Sequence, residues 1–386
     1  MDIQPQLEKL KLRLEREDFK GCDPYDALNS PILTTLAIGK KWPRIAFIQA
    51  LKKLPFNLRP LLGVRKGHNP KGIGLFLWGY AKLYKATSDP SHLRAIDHLL
   101  DLLEELKSTG YSGNCWGYNF DWQSRAFFVP KYTPTIVNSA FIGHALLDTY
   151  LHTGNRRALD FALPIKDFIL NNLYRTEENG AFCFSYTPLD KTIVHNANLL
   201  GASLLIRLSR YVPDENLKEV ALKSLAYSMR HQRTDGSWFY ADTSIQGWID
   251  SFHTGFNLQS IRYFLDEGYA GEYREAYEKG VRFYAENFFL PDGTPKYYHN
   301  KVYPIDIHSP AQAIVFFSGM GEKYKGLTER VLAWTMDNMC DSKGYFYFQK
   351  FPRFTNKIPY MRWGQAWAFH ALTEHLLRST IMEQSK

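Results

Sequence analysis

Trp248, Asp250 and His253 lie close together in the segment DGSWFYADTSIQGWIDSFHTG, residues 235–255, directly before a stretch typical of a helix. Asp250 is a candidate acid/base group together with Asp306, because hydrolysis of a glycosidic bond needs two carboxyls roughly 5–10 Å apart. His253, one turn into the helix, could face a cavity beside Asp250. Two other interpretations remain open: an aspartate directly before a helix is often its N-cap, and His253 could be a hydrogen-bonded core histidine.

The glycine that opens this segment belongs to an internal repeat. Glycine-aromatic clusters, separated by 63, 56, 57 and 51 residues, begin at Gly117, Gly180, Gly236, Gly293 and Gly344. Four of the five glycines follow Asn, Asp or Lys, which is typical of turns that need a positive φ. Each cluster is therefore predicted to form a tight turn into a short aromatic extended segment.

Pairs of helical segments lie between these clusters. The first member of each pair is apolar or small on nearly every face, and the second has an apolar stripe opposite a charged face. This pattern predicts buried inner helices and amphipathic outer helices. Six inner helices and five outer ones can be counted, the last inner one being MRWGQAWAFHALTEHLL. The N-terminal segment, either residues 3–17 or residues 43–54, is predicted to supply the sixth outer helix and close a ring without an exposed end repeat.

Six hairpins joined by glycine-aromatic loops resemble the (α/α)6 toroid of six-hairpin glycosidases, uronyl hydrolases, polysaccharide lyases, sugar 2-epimerases and terpene cyclases. The expected fold class is thus all-α, with the toroid in residues 67–386 and an N-terminal segment, residues 1–66, that packs on the ring and closes it within a single domain. QRTDGSWF is similar to the Gln-Trp repeat of terpene cyclases, but the chain has no DxDD motif. One toroid hosts several chemistries, so the resemblance specifies a fold and not a reaction.

Three stretches narrow the resemblance. GCDPYDALNSP, KKLPFNLRPLLGVRKGHNPKGIGLFL and GYNFDWQSRAFFVPKYTPT resemble uncharacterised bacterial and archaeal six-hairpin proteins associated with exopolysaccharide and lipopolysaccharide biosynthesis. This resemblance implies an envelope-polysaccharide context, with association with polysaccharide biosynthesis proteins.

In a ring of hairpins, the loops that lead into the inner helices meet at one mouth of the central cavity. The candidate catalytic residues at these entrances are Asp121, Asp250, His253 and Asp306. The candidate substrate-binding residues are Asp23, Tyr25, Asp26, Trp122, Arg125, Asn138, His195, Asn196, Trp248, His308, Arg362 and Trp363. Asp121 lies on a loop and not at a helix start, which weakens the capping alternative. The loop with Asp23, Tyr25 and Asp26 could be a lid over the mouth or simply a Pro-containing turn.

A carbohydrate suits these residue types. Sugar rings offer C–H faces to Trp122, Trp248 and Trp363, and hydroxyls that pair with Asp, Asn and Arg. Helix N-termini, Arg125 and Arg362 favour an acidic sugar or a phosphate-bearing glycan. No metal-ligand spacing and no phosphate-binding glycine loop occur, so neither a metal nor a cofactor is expected.

Composition bounds the remaining possibilities. The 386 residues carry a net charge of +8, but Lys and Arg are scattered apart from a cluster in the first 66 residues, so nucleic-acid binding is not expected. The four cysteines lie far apart, as expected of reduced thiols in a cytoplasmic protein. No apolar run is long enough for a membrane span, and the start lacks a signal-peptide pattern.

These observations predict a carbohydrate-active protein that acts on an acidic glycan or a lipid-linked sugar, as a hydrolase, a lyase or a uronate epimerase. The alternative is a non-catalytic glycan-binding or scaffold protein of a polysaccharide assembly system. Aromatic side chains in the cavity would serve both.

Overall fold

The computed structural model describes residues 1–125, 127–242 and 246–384. In this part of the chain the helices are α1 (Gln4–Arg16), α2 (Pro31–Ala37), α3 (Lys41–Lys53), α4 (Pro70–Thr87), α5 (Ser91–Glu105), α6 (Ile136–Thr153), α7 (Arg156–Ala162), α8 (Ile165–Asn172), α9 (His195–Leu208), α10 (Glu215–Arg230), α11 (Ser251–Asp266), α12 (Arg274–Asn287), α13 (His308–Ser318), α14 (Glu322–Met339) and α15 (Trp367–Gln384).

Six helices form a closed inner ring. Helices α4, α6, α9, α11, α13 and α15 contact one another in that order, and α15 contacts α4 again. Nearly every position of these helices is buried, because each helix has neighbours on all sides. This is why their residues are apolar or small on every face. The prediction of an all-α (α/α)6 toroid is confirmed.

The outer layer consists of α5, the pair α7 and α8, α10, α12 and α14, each packed on the inner helix before it. Helix α5 shows the predicted stripe: Ile96, Leu99 and Leu103 are buried and the opposite face is exposed. The second outer helix is interrupted at Pro164, which is the N-cap of α8 and has no backbone N–H to continue α7.

Helix α1 occupies the sixth outer position. It packs on α15, and its Leu7, Leu10 and Leu14 join the main core. The turn at Gly344 packs closely against α1: a Cβ added to Gly344 would lie 2.4 Å from Lys9. This contact makes α1 equivalent to the other outer helices. In the same way, a Cβ added to Gly293 of the preceding cluster would collide with the outer helix α14. Of the two N-terminal segments considered, residues 3–17 therefore supply the missing helix.

The glycine-aromatic clusters are turns and short extended segments. Gly180, Gly236, Gly293 and Gly344 have a positive φ, as predicted. Gly117 is the exception: it is required because a Cβ there would lie 2.2 Å from the Thr133 carbonyl oxygen.

The strands are β1 (Trp122–Gln123), β2 (Phe128–Val129), β3 (Arg175–Glu178), β4 (Ala181–Phe184), β5 (Ile305–Asp306), β6 (Gln349–Lys350) and β7 (Thr355–Asn356). All pair antiparallel, β1 with β2, β3 with β4, and β6 with both β5 and β7. These small sheets support the loops at the entrances of the inner helices.

Residues 26–66 form a layer beside the mouth of the ring. Helices α2 and α3 enclose a small separate core of Ala27, Leu28, Leu33, Ile48 and Leu51. Helix α3 also contacts β1, which lies at an entrance of the ring. This part of the N-terminal segment thus lies at one side of the mouth, while α1 packs in the outer layer.

At the opposite end of the ring, a pocket of about 220 Å³ is crossed by buried ion pairs. Glu374 pairs with Lys82 and also accepts a hydrogen bond from Arg378 at 2.7 Å. Asp148 pairs with Arg207. None of the described helices has both the length and the apolar content needed to cross a lipid bilayer.

Candidate functional site

The mouth of the ring contains a cavity of about 460 Å³ at the N-terminal ends of the inner helices. Its walls are largely aromatic, with side chains contributed by the glycine-aromatic clusters and by the helix entrances. The polar lining is cationic, and among the described residues no Asp or Glu lines it. The charged and imidazole-bearing lining residues are Lys52, Lys71, Arg125, His253, His308 and Arg362.

Asp250 and His253 form a hydrogen-bonded pair at the start of α11. Asp250 is the N-cap, accepting from the His253 backbone N–H at 3.0 Å with Oδ1. Its Oδ2 accepts from Trp248 Nε1 at 3.0 Å and lies 2.6 Å from His253 Nδ1. The carboxylate is fully buried, whereas 22% of the His253 side chain is exposed. Asp250 therefore orients the imidazole, and His253 Nε2 has no partner among the described residues.

His308 lies at the start of α13 with its ring buried between aromatic side chains. The ring centroid is 4.5 Å from that of Phe252, and the His253 ring lies 4.4 Å from the same phenyl group. Neither nitrogen of His308 has a hydrogen-bond partner in the described part of the chain. Burial lowers the pKa of His308 well below its ordinary value, and the nearby Lys71 and Arg362 lower it further. His308 is thus a neutral imidazole beside the cavity.

Asp306 lies behind the cavity wall. Its Oδ1 accepts from Trp363 Nε1 at 2.8 Å and from the His308 backbone N–H at 3.0 Å, and Oδ2 accepts from Gln349 at 2.7 Å. Burial raises the pKa of this carboxyl despite these hydrogen bonds. Asp306 positions the Trp363 indole and the first turn of α13.

Lys71 and Arg362 are the most buried lysine and arginine side chains of the lining. Arg362 makes a bidentate pair with Asp23, with distances of 2.6 and 2.8 Å. Lys71 has no hydrogen-bonding or ionic partner among the described residues, and its Nζ lies 4.0 Å from the centroid of the Phe141 ring. Burial lowers the pKa of Lys71 well below its ordinary value, and Arg362 adds to the effect.

The loop with Asp23, Tyr25 and Asp26 is both a wall of the cavity and an anchored turn. Tyr25 lines the cavity, and its hydroxyl oxygen lies 2.7 Å from Lys52 Nζ. Asp26 accepts from the Asp23 backbone N–H at 2.8 Å and pairs with Arg59 at 2.6 Å. The two aspartates hold the loop, and only the tyrosine reaches the cavity.

The structure brings nine of the predicted site residues to the cavity: Tyr25, Trp122, Arg125, Asn196, Trp248, His253, His308, Arg362 and Trp363. It places the other seven outside the lining: Asp23, Asp26, Asp121, Asn138, His195, Asp250 and Asp306. Asp121 turns away and accepts a hydrogen bond from the Lys131 backbone N–H at 2.8 Å. His195 turns outward to Asp242, at 2.9 Å. Asn138 is fully buried, and its amide has no hydrogen-bond partner in the described structure.

Several lining residues were not predicted. Tyr118, Tyr186, Tyr240 and Tyr297 come from the glycine-aromatic segments, for which the repeat pattern predicts only turns and extended backbone. Lys71 could have been found from the sequence, because a lysine in the first turn of an otherwise apolar inner helix has no solvent to face. Within the described ranges, no three His, Cys, Asp or Glu residues are grouped so that they could hold a metal ion.

Comparison with known proteins places this geometry in a family. The beta-L-arabinofuranosidase GH127 catalytic domain matches residues 66–289, which is more than half of the chain. No curated protein matches significantly.

Solved structures share the fold at low sequence identity. Cellobiose 2-epimerase from Bacillus thermoamylovorans B4167 has a TM-score of 0.63 and 17% identity, over 83% of this chain and 90% of that one. A GH76 alpha-mannanase from Bacteroides thetaiotaomicron has a TM-score of 0.61 and 13% identity, over 81% and 87%. A polysaccharide lyase has a TM-score of 0.55 and 12% identity, over 81% and 91%. The chain belongs to the family of the beta-L-arabinofuranosidase GH127 catalytic domain, a carbohydrate-active, glycosidase-like family.

Proposed function

We propose that the protein is a carbohydrate epimerase that binds an acidic sugar in the mouth cavity and moves a proton at the carbon next to its carboxylate or carbonyl group. The observation that carries this proposal is the lining itself: it offers two histidines and several cations but, among the described residues, no carboxylate. General acid–base chemistry by histidine needs no carboxyl pair. Hydrolysis of a glycosidic bond, in contrast, needs a pair of carboxyls at the substrate.

The two histidines have complementary environments. His308 is neutral and unpartnered, so it is suited to accept a proton from carbon. His253 Nδ1 lies 2.6 Å from the Asp250 carboxylate, which orients the ring, and 22% of its side chain is exposed, so Nε2 is placed to exchange a proton with a bound sugar. Two histidines in different environments beside one substrate are suited to act as the base and the acid. The proton taken by His308 leaves a carbanion, and protonation of that carbon from the other side inverts its configuration.

An acidic substrate follows from the charges in the cavity. Lys52, Lys71, Arg125 and Arg362 surround a space without a lining carboxylate, so a sugar carboxylate or phosphate would be attracted there. Arg362 and Lys71 would also stabilise negative charge that develops on the substrate next to the reacting carbon. The aromatic walls would hold the C–H faces of the sugar.

The proposed setting is envelope or exopolysaccharide biosynthesis, on an acidic glycan or a lipid-linked sugar, alongside other proteins of that process. The support is the sequence resemblance of the three N-terminal stretches. The cytoplasmic location expected from the reduced thiols stays a prediction.

The test is exchange of substrate hydrogen with solvent. The protein is incubated in D2O with oligosaccharides that contain uronic acids and with matched neutral ones, and deuterium at carbon is measured by NMR and mass spectrometry. We expect exchange with the acidic sugars, and a loss of about 10²–10⁴-fold in His253→Gln and in His308→Gln. His195→Gln is the matched control, since His195 also begins an inner helix but faces away from the cavity. Equal losses in all three variants would contradict the assignment.

A second candidate is glycoside hydrolysis, which the family match favours. Release of new reducing ends without deuterium incorporation would establish it, and Asp250→Asn would then abolish turnover directly. A lyase would instead produce an unsaturated uronate that absorbs in the near ultraviolet. Saccharide binding without any of these products would support the non-catalytic glycan-binding alternative.

A further inference from the structure

Helices α2 and α3 and the segment after them expose an unusual set of apolar side chains, which we call the basic-apolar face. Six large apolar residues between positions 32 and 61 are at least half exposed: Ile32 (50%), Leu36 (59%), Ile38 (76%), Trp42 (68%), Phe56 (56%) and Leu61 (79%). Exposed apolar residues are normal when they are scattered singly, but a concentration of them marks a binding surface.

The same stretch carries only positive charge. Residues 27–66 contain eight Lys and Arg residues and no Asp or Glu. Arg59 is buried against Asp26, and Lys52 contacts Tyr25, so these two are used inside the protein. The exposed cations of the face are Lys40, Lys41, Lys53, Arg65 and Lys66; Lys66 also pairs with Glu17 at 3.4 Å.

Local contacts connect several of the segments that carry these residues, and α2 packs against α3. Ile32 and Leu36 are one helical turn apart on α2, which places them on the same side. The segment with Leu61 is tied to the start of α2, because the Ser30 hydroxyl donates to the Leu62 carbonyl at 2.6 Å. Trp42 follows in the first turn of α3, with Lys41 Nζ at 5.7 Å from its ring.

The fold leaves these residues outside although it builds a core nearby. The small core of the same segment uses Leu33, Ile48 and Leu51, on the inner sides of α2 and α3. The outer sides therefore stay apolar without an intramolecular partner to bury them.

We infer that the basic-apolar face binds an anionic lipid bilayer, with Ile38 and Trp42 inserted at the headgroup boundary and the lysines on the lipid phosphates. Basic residues around an apolar surface are typical of interfacial binding. A second copy of the chain fits less well, because a symmetric contact would bring two wholly positive faces together. Nucleic acid fits less well too, since four of the six apolar residues are aliphatic and give bases no ring to stack on.

Bilayer binding of this face does not depend on the reaction in the cavity. It has a consequence for access, however, because α3 contributes Gln49 and Lys52 to the cavity lining, and Gln49 lies two turns after Trp42 on the same side of the helix. A bilayer that holds Trp42 would therefore lie beside the mouth and bring it close to lipid headgroups, where a lipid-linked sugar is presented.

The experiment is flotation of the full chain with vesicles of phosphatidylcholine, pure or mixed with equal parts of phosphatidylglycerol. We expect binding to the anionic vesicles that weakens in high salt, and little binding to phosphatidylcholine alone. Lys40→Gln combined with Lys41→Gln should lower the partition coefficient about 30-fold, since each charge contributes roughly fivefold. Trp42→Ala should lower it about tenfold.

Matched controls lie on other surfaces. Leu189→Ala removes an apolar side chain that is 59% exposed, and Lys323→Gln with Lys343→Gln removes two exposed charges. Unchanged vesicle binding in these controls supports the inference, with circular dichroism confirming that all variants are folded. No binding of the wild type to anionic vesicles in low salt would overturn it. So would equal losses in the controls, or a dimer in solution that Trp42→Ala dissociates, since a second copy would then cover the face.

Discussion

Replacing Lys71 by methionine should stabilise the protein and impair its site. The Lys71 amine is buried with no hydrogen-bonding or ionic partner among the described residues, and its neighbours are the rings of Phe141, Phe256 and Trp367. An unpaired buried polar group costs roughly 1–3 kcal/mol. Methionine has a similar volume and no polar atom that needs a partner, so the substitution should recover that free energy of unfolding.

The expected gain can be converted to a melting temperature. With an unfolding entropy of roughly 2 cal/mol/K per residue, 1–3 kcal/mol raises the Tm of a chain of 386 residues by about 1–4 °C. The difference should also depend on pH. The pKa of Lys71 is lowered on folding, so the unfolded chain binds the extra proton and the wild type gains stability as pH rises towards the ordinary value of 10.5. The advantage of Lys71→Met should therefore shrink above neutral pH.

Lys82→Met is the matched control for this measurement. Lys82 is equally buried on the same helix α4, but it pairs with Glu374. Removing one partner of a buried pair typically costs about 3–5 kcal/mol, so this variant should be less stable than the wild type. Calorimetric measurement of the Tm of both variants across pH tests these two predictions. If Lys71→Met is also destabilised, the aromatic rings stabilise Lys71 as a cation, and the amine is not an uncompensated buried group.

Two further predictions concern the ring itself. Gly344→Ala should destabilise the protein by more than Gly180→Ala: both glycines have a positive φ, but only at Gly344 would the added Cβ collide with Lys9. Equal losses in thermal unfolding would contradict the assignment of α1 as the sixth outer helix. Glu374→Gln should remove a loss of stability in acid. Burial would raise the pKa of Glu374, but Lys82 and other cations hold it at about 2, so the wild type should lose about 3 kcal/mol between pH 4.5 and 2. If urea titrations show that the free energy of unfolding of Glu374→Gln falls between pH 4.5 and 2 as much as that of the wild type, this prediction is wrong.

The ring was predictable because its signals recur. Each glycine-aromatic cluster and each apolar helix is weak evidence alone, but their spacing along the chain fixes a hairpin period. The identity of the sixth outer helix was not predictable, since residues 3–17 and 43–54 both have helical character. That choice depends on the long-range contact between Lys9 and Gly344.

Which side chains enter the cavity was only partly predictable. Adjacent residues at a helix start point about 100° apart, so Asn196 faces the cavity while His195 turns to Asp242. Trp122 lines the cavity while Asp121, next to it on an extended segment, points away. Knowing that a loop reaches the mouth therefore does not determine the direction of each side chain.

The missed tyrosines have a different cause. Residues such as Tyr240 belong to the extended segments, and their aromatic character looked like packing for the turns. In the structure the segment divides its residues between two roles: Trp238 is buried in the core, and Tyr240 stacks on Trp248 beside the cavity. Architecture and site thus share one repeat unit.

This sharing explains how the site keeps basic side chains that are poorly compensated. Lys71, His253 and His308 come from three different inner helices, and Arg362 from the helical turn Met361–Ala366 directly before α15, so separate parts of the ring bring them together. Only Arg362 and His253 have carboxylate partners, Asp23 and Asp250, and both carboxylates lie outside the lining. Lys71 and His308 lower the stability of the protein, and the packing of the closed ring offsets this loss. Such a loss of stability is expected at a binding site. An acidic ligand would supply the missing negative charge, so it should raise the Tm of the wild type more than that of Lys71→Met.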